Sequence, residues 1–192
     1  KQETDFLRGY MVHYSADRMG WQAGFGKNGI GASYKDSLLE PGDWNVFMMM
    51  QGENIPLESN TVSLHKDLKD SWGIPQLVTD IDYAENDLKL LKDFHEQASE
   101  MLGGAGCKNI QAIDSQQAPG LDIHEMGGIR MGNDPKTSLL NKWNQFHHAQ
   151  NVFVTDGASM VSTSTQNPSL TFMALTARAV DHAVSEMKKG NL

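Results

Sequence analysis

Apolar residues come in short, separate runs along this chain, and the period inside each run predicts its element. Residues 1–45 hold no sustained period. The stretches "FLRGY", "MGWQAGFGKNGIGASYKD" and "PGDW" are rich in glycine and aromatics and read as loop with short strands. Residues 45–51, "NVFMMMQ", form an apolar run of strand length, which predicts a buried strand. A polar turn, "GENIPLESN", leads to "TVSLHKD", an alternating strand with Val62 and Leu64 on one face, and "WGIPQLVTDIDY" holds another strand. The period then changes. In "AENDLKLLKDFHEQASEMLGGAG", Leu88, Leu91, Phe94, Ala98 and Met101-Leu102 recur at helical spacing, and the glycines between 103 and 106 end the helix. "CKNIQAIDS" predicts a strand and "NVFVTDGA" a short apolar one. The last helix lies in "NPSLTFMALTARAVDHAVSEMKKG", with Pro168 near its first turn and Lys188, Lys189 and Gly190 at its end. This order of elements predicts an α+β fold with a mainly antiparallel sheet and flanking helices.

Composition narrows the function classes. The chain has 192 residues, the length of one domain or slightly more. Hydrophobic content of 39% and charged content of 21% are those of a globular protein. A net charge of −8 repels a phosphate backbone, and the best basic run, Lys188-Lys189, is too short to offset it, so no nucleic-acid partner is expected. No stretch of about 18 apolar residues is present to span a membrane. The single cysteine, Cys107, excludes disulfide and cysteine–zinc frameworks and is expected in the core. The chain starts Lys-Gln-Glu, which reads as a fragment or a processed product.

Two stretches carry chemistry. In "DIHEMGGIRMGNDP", His124 stands just ahead of Gly127, Gly128 and Gly132. A histidine titrates near neutral pH, so His124 could act as a general base; the competing reading is a histidine hydrogen-bonded at a strand end. The glycines let backbone approach a ligand closely. In "TDGASMVSTSTQNPSLTFMALTARA", an apolar strand ends in Asp156-Gly157, and a Ser/Thr run crosses to Asn167-Pro168-Ser169, where a helix begins. A helix start presents unpaired amides favourable to an anion or an electron-rich ring. Equally, Asn167 or Ser169 could be an N-cap and Asp156 a turn former. His147-His148 lack metal-ligand spacing, and Gly24, Gly26, Gly29 and Gly31 do not match a dinucleotide fingerprint. Met48–Met50 belong to the buried strand rather than to a ligand set.

"HEMGGIRMG" followed by "NVFVTDGASMVSTSTQNPSLTFMALTARA" resembles the C-terminal part of the glucose–methanol–choline family of flavin-dependent oxidoreductases. The upstream pieces "FLRGY", "PLESNTVSL" and "WGIPQL" resemble its sugar-active members, such as gluconate and glucoside 3-dehydrogenases and pyranose oxidases. The resemblance implies FAD as cofactor and a catalytic pair, His124 and Asn167, over its reactive face. His124 would accept the proton of a sugar or polyol hydroxyl, hydride would pass to flavin N5, and Asn167 would orient the hydroxyl. It also implies that Asp156, Gly157, Asn167, Pro168 and Thr171 contact the cofactor.

The same resemblance implies a domain arrangement. Residues 1–118 correspond to a substrate-domain sheet and helix. Residues 119–192 carry the histidine loop and a returning strand and helix that would complete a FAD-binding domain. The N-terminal dinucleotide-binding unit is absent from this sequence, so the missing half is expected in the same or another chain, with an electron-acceptor subunit as a further candidate partner. After "RGY" the run is "MVHYSADRMGW", which departs from the sugar-active pattern, and no substrate contacts are assigned there. Two other readings stand beside this one: a non-catalytic module that binds carbohydrate or a partner subunit, and a sterol- or choline-type alcohol oxidase of the same family.

Overall fold

A computed structural model of the chain describes residues 3–18, 29–39, 41–121 and 123–192. Gly24 and Gly26, from the glycine run weighed above, lie outside them. The chain divides into two compact units, Met11–Gln51 and the remainder.

The smaller unit is built on β1 (Tyr10–Arg18) and β2 (Trp44–Gly52), paired as a two-stranded sheet, with a short helix α1 (Ala32–Ser37) between them in sequence. The Arg18 guanidinium donates to the carbonyls of Gly42 (2.9 Å) and Pro41 (3.0 Å), which ties the end of β1 to the approach of β2. Met48–Met50 do lie in a strand, but that strand is not buried. Phe47 is 61% exposed and Met49 48%. Apolar content favours burial without supplying the surface that buries it.

In the larger unit, β3 (Thr61–Lys69) runs antiparallel to β4 (Pro75–Asp80), pairing Thr61 with Asp80, Leu64 with Leu77 and Lys69 with Pro75. The register breaks between Leu64 and Lys69. There the His65 Nδ1 accepts from the amides of Asp67 (3.1 Å) and Leu68 (2.9 Å), replacing bonds that the bulged ladder gives up. Asn60 staples the open end by exchanging hydrogen bonds with the backbone of Asp82. The sheet is thus two separate ribbons among the described residues, and antiparallel pairing is explicit in this one.

Helix α2 (Glu85–Gly104) begins where Asp87 Oδ2 accepts from the Ala84 amide at 2.8 Å. It ends in the expected glycines: Gly106 N donates to Gly103 O and Cys107 N to Leu102 O, both at 3.0 Å, a Schellman arrangement. Its buried residues are Leu90 and Phe94, whereas Leu88 and Met101, counted on the apolar face by spacing, are exposed. The reason is the packing partner. The segment carrying Phe6 and Tyr10 lies on the Leu90–Phe94 side, with the Tyr10 ring edge-on to Phe94 at 5.8 Å and its hydroxyl donating to Asp93 at 2.6 Å. Burying Leu90 and Phe94 contributes about 1.5–3 kcal/mol each. Burial, followed by the Asp93 carboxylate, pushes the Tyr10 phenol up to about 12.

"CKNIQAIDS" is not a strand. Ile110 and Ile113 are exposed there, and no neighbouring strand is present among the described residues to complete a ladder. Cys107 is half-buried rather than in the core. "NVFVTDGA" reduces to one bridge, between Phe153 and Gln145.

The core of the C-terminal part is polar as well as apolar. Leu140, Asn144 and Ser159 are each 0% exposed. Met131 bridges Leu140, and Leu140 bridges Phe146. Helix α3 (Ser169–Lys188) packs Ala179 inward. Its other side carries Leu170, Met173, Val180, Val184 and Met187, all exposed and all within one stripe of the helix.

Candidate active site

The two chemistry-bearing stretches meet. Ile129 N donates to Ala158 O and Met131 N to Ser159 O, both at 2.9 Å, so the histidine loop runs alongside the turn that follows Asp156-Gly157. That turn is a short 3-10 helix, Gly157–Ser159, capped by Asp156, whose Oδ1 accepts from Ala158 N at 3.0 Å. Ser159 Oγ donates back to Asp156 O at 2.8 Å.

Glycine is needed at 157 for contact. A Cβ there would stand 3.0 Å from the carbonyl oxygen of Glu125, 3.1 Å from Met126 Sδ and 3.2 Å from Phe172 Cζ. Glu125 and Met126 follow His124 directly, and Phe172 lies in the first turn of α3. Gly157 is therefore where the loop carrying His124, the Asp156 turn and the start of α3 converge. Gly127, at φ +86°, is the point where the loop turns past the Met160 carbonyl.

Asn144 fixes this arrangement from behind. It holds a left-handed backbone (φ 61°), and its N–H donates to Asn141 O. Its carbonyl accepts from Val154 N, its Nδ2 donates to Val154 O, and its Oδ1 accepts from Arg178 of α3 at 3.2 Å. Thr176 of α3 donates to Phe172 O and to Thr155 O. Trp143 stacks on His182 of α3 at 4.6 Å. Sequence reading passed over Asn144; asparagine between a tryptophan and a glutamine carries no local signal of burial.

The sequence-assigned residues take these positions. His124 is half-buried. Asp156 is exposed and does cap a turn, while Gly157 makes the close approach. Asn167 and Thr171 are exposed, and Pro168 is buried at the N-cap position of α3. No side chain caps this helix, so neither Asn167 nor Ser169 acts as its N-cap, and its first turn holds no acidic residue. In the loop before α3, the Thr163 hydroxyl is buried without a hydrogen-bond partner among the described residues. His147 hydrogen-bonds Ser138 at 3.2 Å, and no cluster of metal-binding side chains is found among the described residues.

One group escaped the sequence reading. Glu53, in the stretch taken as a polar turn, is only 9% exposed. Its Oε1 accepts from the Ser162 hydroxyl and lies 3.4 Å from Arg8 Nη1. Arg8 itself sits at φ 67°, a conformation that costs a bulky residue about 1–3 kcal/mol.

A family model described as GMC oxidoreductase matches residues 56–176. The chain is 34% identical over 155 residues to a 2-methyl-1,2-propanediol dehydrogenase of Mycolicibacterium austroafricanum, covering 79% of this chain and 27% of that protein. It is 32% identical over 138 residues to the fructose dehydrogenase large subunit of Gluconobacter japonicus, covering 72% and 25%. It is also 32% identical over 118 residues to a paromamine 6'-oxidase of Streptomyces fradiae, covering 62% and 22%. The chain thus spans about a quarter of the length of the curated relatives it matches.

Proposed function

The chain belongs to the GMC oxidoreductase family, and from that premise we propose that it is the C-terminal, substrate-side part of an FAD-dependent enzyme that oxidises a CH–OH group of a sugar or polyol. The observation that carries this reading is the convergence at Gly157 of the His124 loop, the Asp156 turn and the start of α3. Relatives named as dehydrogenases and oxidases of a diol, of fructose and of paromamine support the substrate class.

The residues present fit FAD. The uncapped start of α3, without first-turn acids, suits an electron-rich ring, and the Thr163 hydroxyl, in the loop that leads to it, is a buried donor without a partner among the described residues. Asp156, Gly157, Asn167, Pro168 and Thr171 would line the cofactor. When bound, FAD supplies the redox chemistry by accepting hydride from the carbinol carbon. His124 takes the substrate hydroxyl proton on an imidazole nitrogen, which is worth about 10²–10⁴ in rate. Asn167 hydrogen-bonds the same oxygen; an uncharged amide orients it without competing for the proton. Half-burial of His124 limits water around the base while leaving it reachable.

Residues 1–118 form the substrate-domain part and 119–192 the flavin-side part. A dinucleotide-binding half, in the same or another chain, completes the cofactor site. The exposed apolar stripe of α3 supports this, because a helix apolar on two sides is ordinarily covered on both. A relative named as a large subunit favours a further subunit, which would take the electrons.

The test is a flavin assay on the whole protein, followed by anaerobic addition of sugars and polyols. Bound FAD whose absorbance bleaches with one of them is the expected result. Bound FAD that no sugar or polyol bleaches would favour a non-catalytic binding module, and no FAD in the whole protein would overturn the reading.

A further inference from the structure

The loop from Met160 to Gln166 leads directly into Asn167, at the start of α3. Most of the hydrogen bonds that hold the neighbouring segments are local or backbone-mediated. The Ser162–Glu53 bond is different: it spans 109 positions of sequence and ends on a carboxylate that is nearly buried.

Glu53 is held by two contacts on its carboxylate and one on its backbone. The carboxylate oxygen that accepts from the Ser162 hydroxyl also faces the Arg8 guanidinium. The Glu53 amide donates to Gly9 O at 3.1 Å. Arg8 in turn is held by its neighbour, since Leu7 exchanges hydrogen bonds with the Asn86 side chain of α2, at 2.7 and 3.2 Å. A chain of contacts therefore runs from α2 through residues 7–9 and Glu53 to Ser162. An acid this buried needs charge and hydrogen-bond partners, and here those partners are the loop and its anchor. Arg8 holds its left-handed backbone at the residue whose guanidinium faces Glu53.

We propose that Glu53 is a positioning residue: held by Arg8, it grips Ser162 and so sets the path of the loop that presents Asn167 to substrate. The proposal rests on the reading of Asn167 as a substrate-orienting group. It assigns no proton transfer to Glu53.

The experiment compares Ser162→Ala and Glu53→Gln with the parent in the whole flavoprotein. Ser162→Ala deletes one hydroxyl and preserves the fold; Glu53→Gln keeps an acceptor for Ser162 and loses the charge that Arg8 faces. Hydrogen exchange should quicken in residues 160–172 and stay unchanged in β3 and β4. Flavin reduction by substrate should slow about tenfold with FAD retained. Combined with Asn167→Ala, the Ser162→Ala change should add nothing further, since both act through one amide. Unchanged exchange in 160–172, or rate losses that multiply with that of Asn167→Ala, would overturn the proposal. If Asn167→Ala alone leaves reduction unchanged while exchange still quickens in Ser162→Ala, Glu53 still holds the loop, and it is the role of Asn167 that falls.

Discussion

The carbonyl oxygen of Glu125 lies 3.0 Å from the point where a Cβ on Gly157 would stand. A backbone carbonyl cannot swing aside as a side-chain tip can, so an alanine at 157 must push the loop carrying His124 away from the Asp156 turn. Gly157→Ala should destabilise the chain by about 1–3 kcal/mol. Denaturant unfolding checks this, and an unchanged midpoint would mean that the loop yields without cost.

His124→Ala should lower turnover of the whole enzyme by about 10²–10⁴ while FAD stays bound. Steady-state rates and the flavin spectrum are the measurements. Retained turnover would remove the base role from this residue.

Asn167 is exposed and does not cap α3, so its loss should leave stability nearly unchanged. Asn167→Ala should instead slow flavin reduction, by up to about 10²-fold. Stopped-flow absorbance read beside a thermal melt separates the two effects. A shifted melt with an unaltered reduction rate would make it a structural residue.

Asn144→Ala removes bonds to Val154 O and Arg178 in a site with no solvent access, and it places alanine in a left-handed backbone. The expected loss is about 2–4 kcal/mol. Equilibrium unfolding should show it, and Asn144→Asp should not restore the bond to Val154 O, because a carboxylate has no proton to donate.

Tyr10 binds its proton more tightly folded than unfolded, its pKa moving from 10.0 to about 12. Its stabilising contribution is therefore complete below pH 10 and is lost as pH rises through about 12. Unfolding free energy should fall across that window, and Tyr10→Phe should flatten the fall. An equal fall in the variant would assign it to other groups.

The local part of this architecture was readable from residues alone. Helices α2 and α3 end in glycine-containing turns that the sequence announces, since a Schellman turn depends on a few adjacent positions. Strand β3 follows from alternation, and β4 from a short strand-like run, signals that are likewise local. Leu88 and Leu90 are equally apolar on α2, and no helical period says which of them is buried. The same holds for "CKNIQAIDS", whose strand-like composition goes unused because a strand needs another strand beside it.

The candidate site divides in the same way. The sequence by itself determined the chemical identities: a histidine ahead of a glycine loop, Asp-Gly at a strand end, and Asn-Pro at a helix start, together with the family these belong to. Chemistry of that kind resides in residue type and short spacing. Only the tertiary structure decided that Gly157 is the meeting point of those segments, that Asn144 is their buried support, and that Glu53 reaches across the chain to Ser162. Those are matters of distance between residues far apart in sequence, set by which surfaces exclude water together, and no local pattern records them.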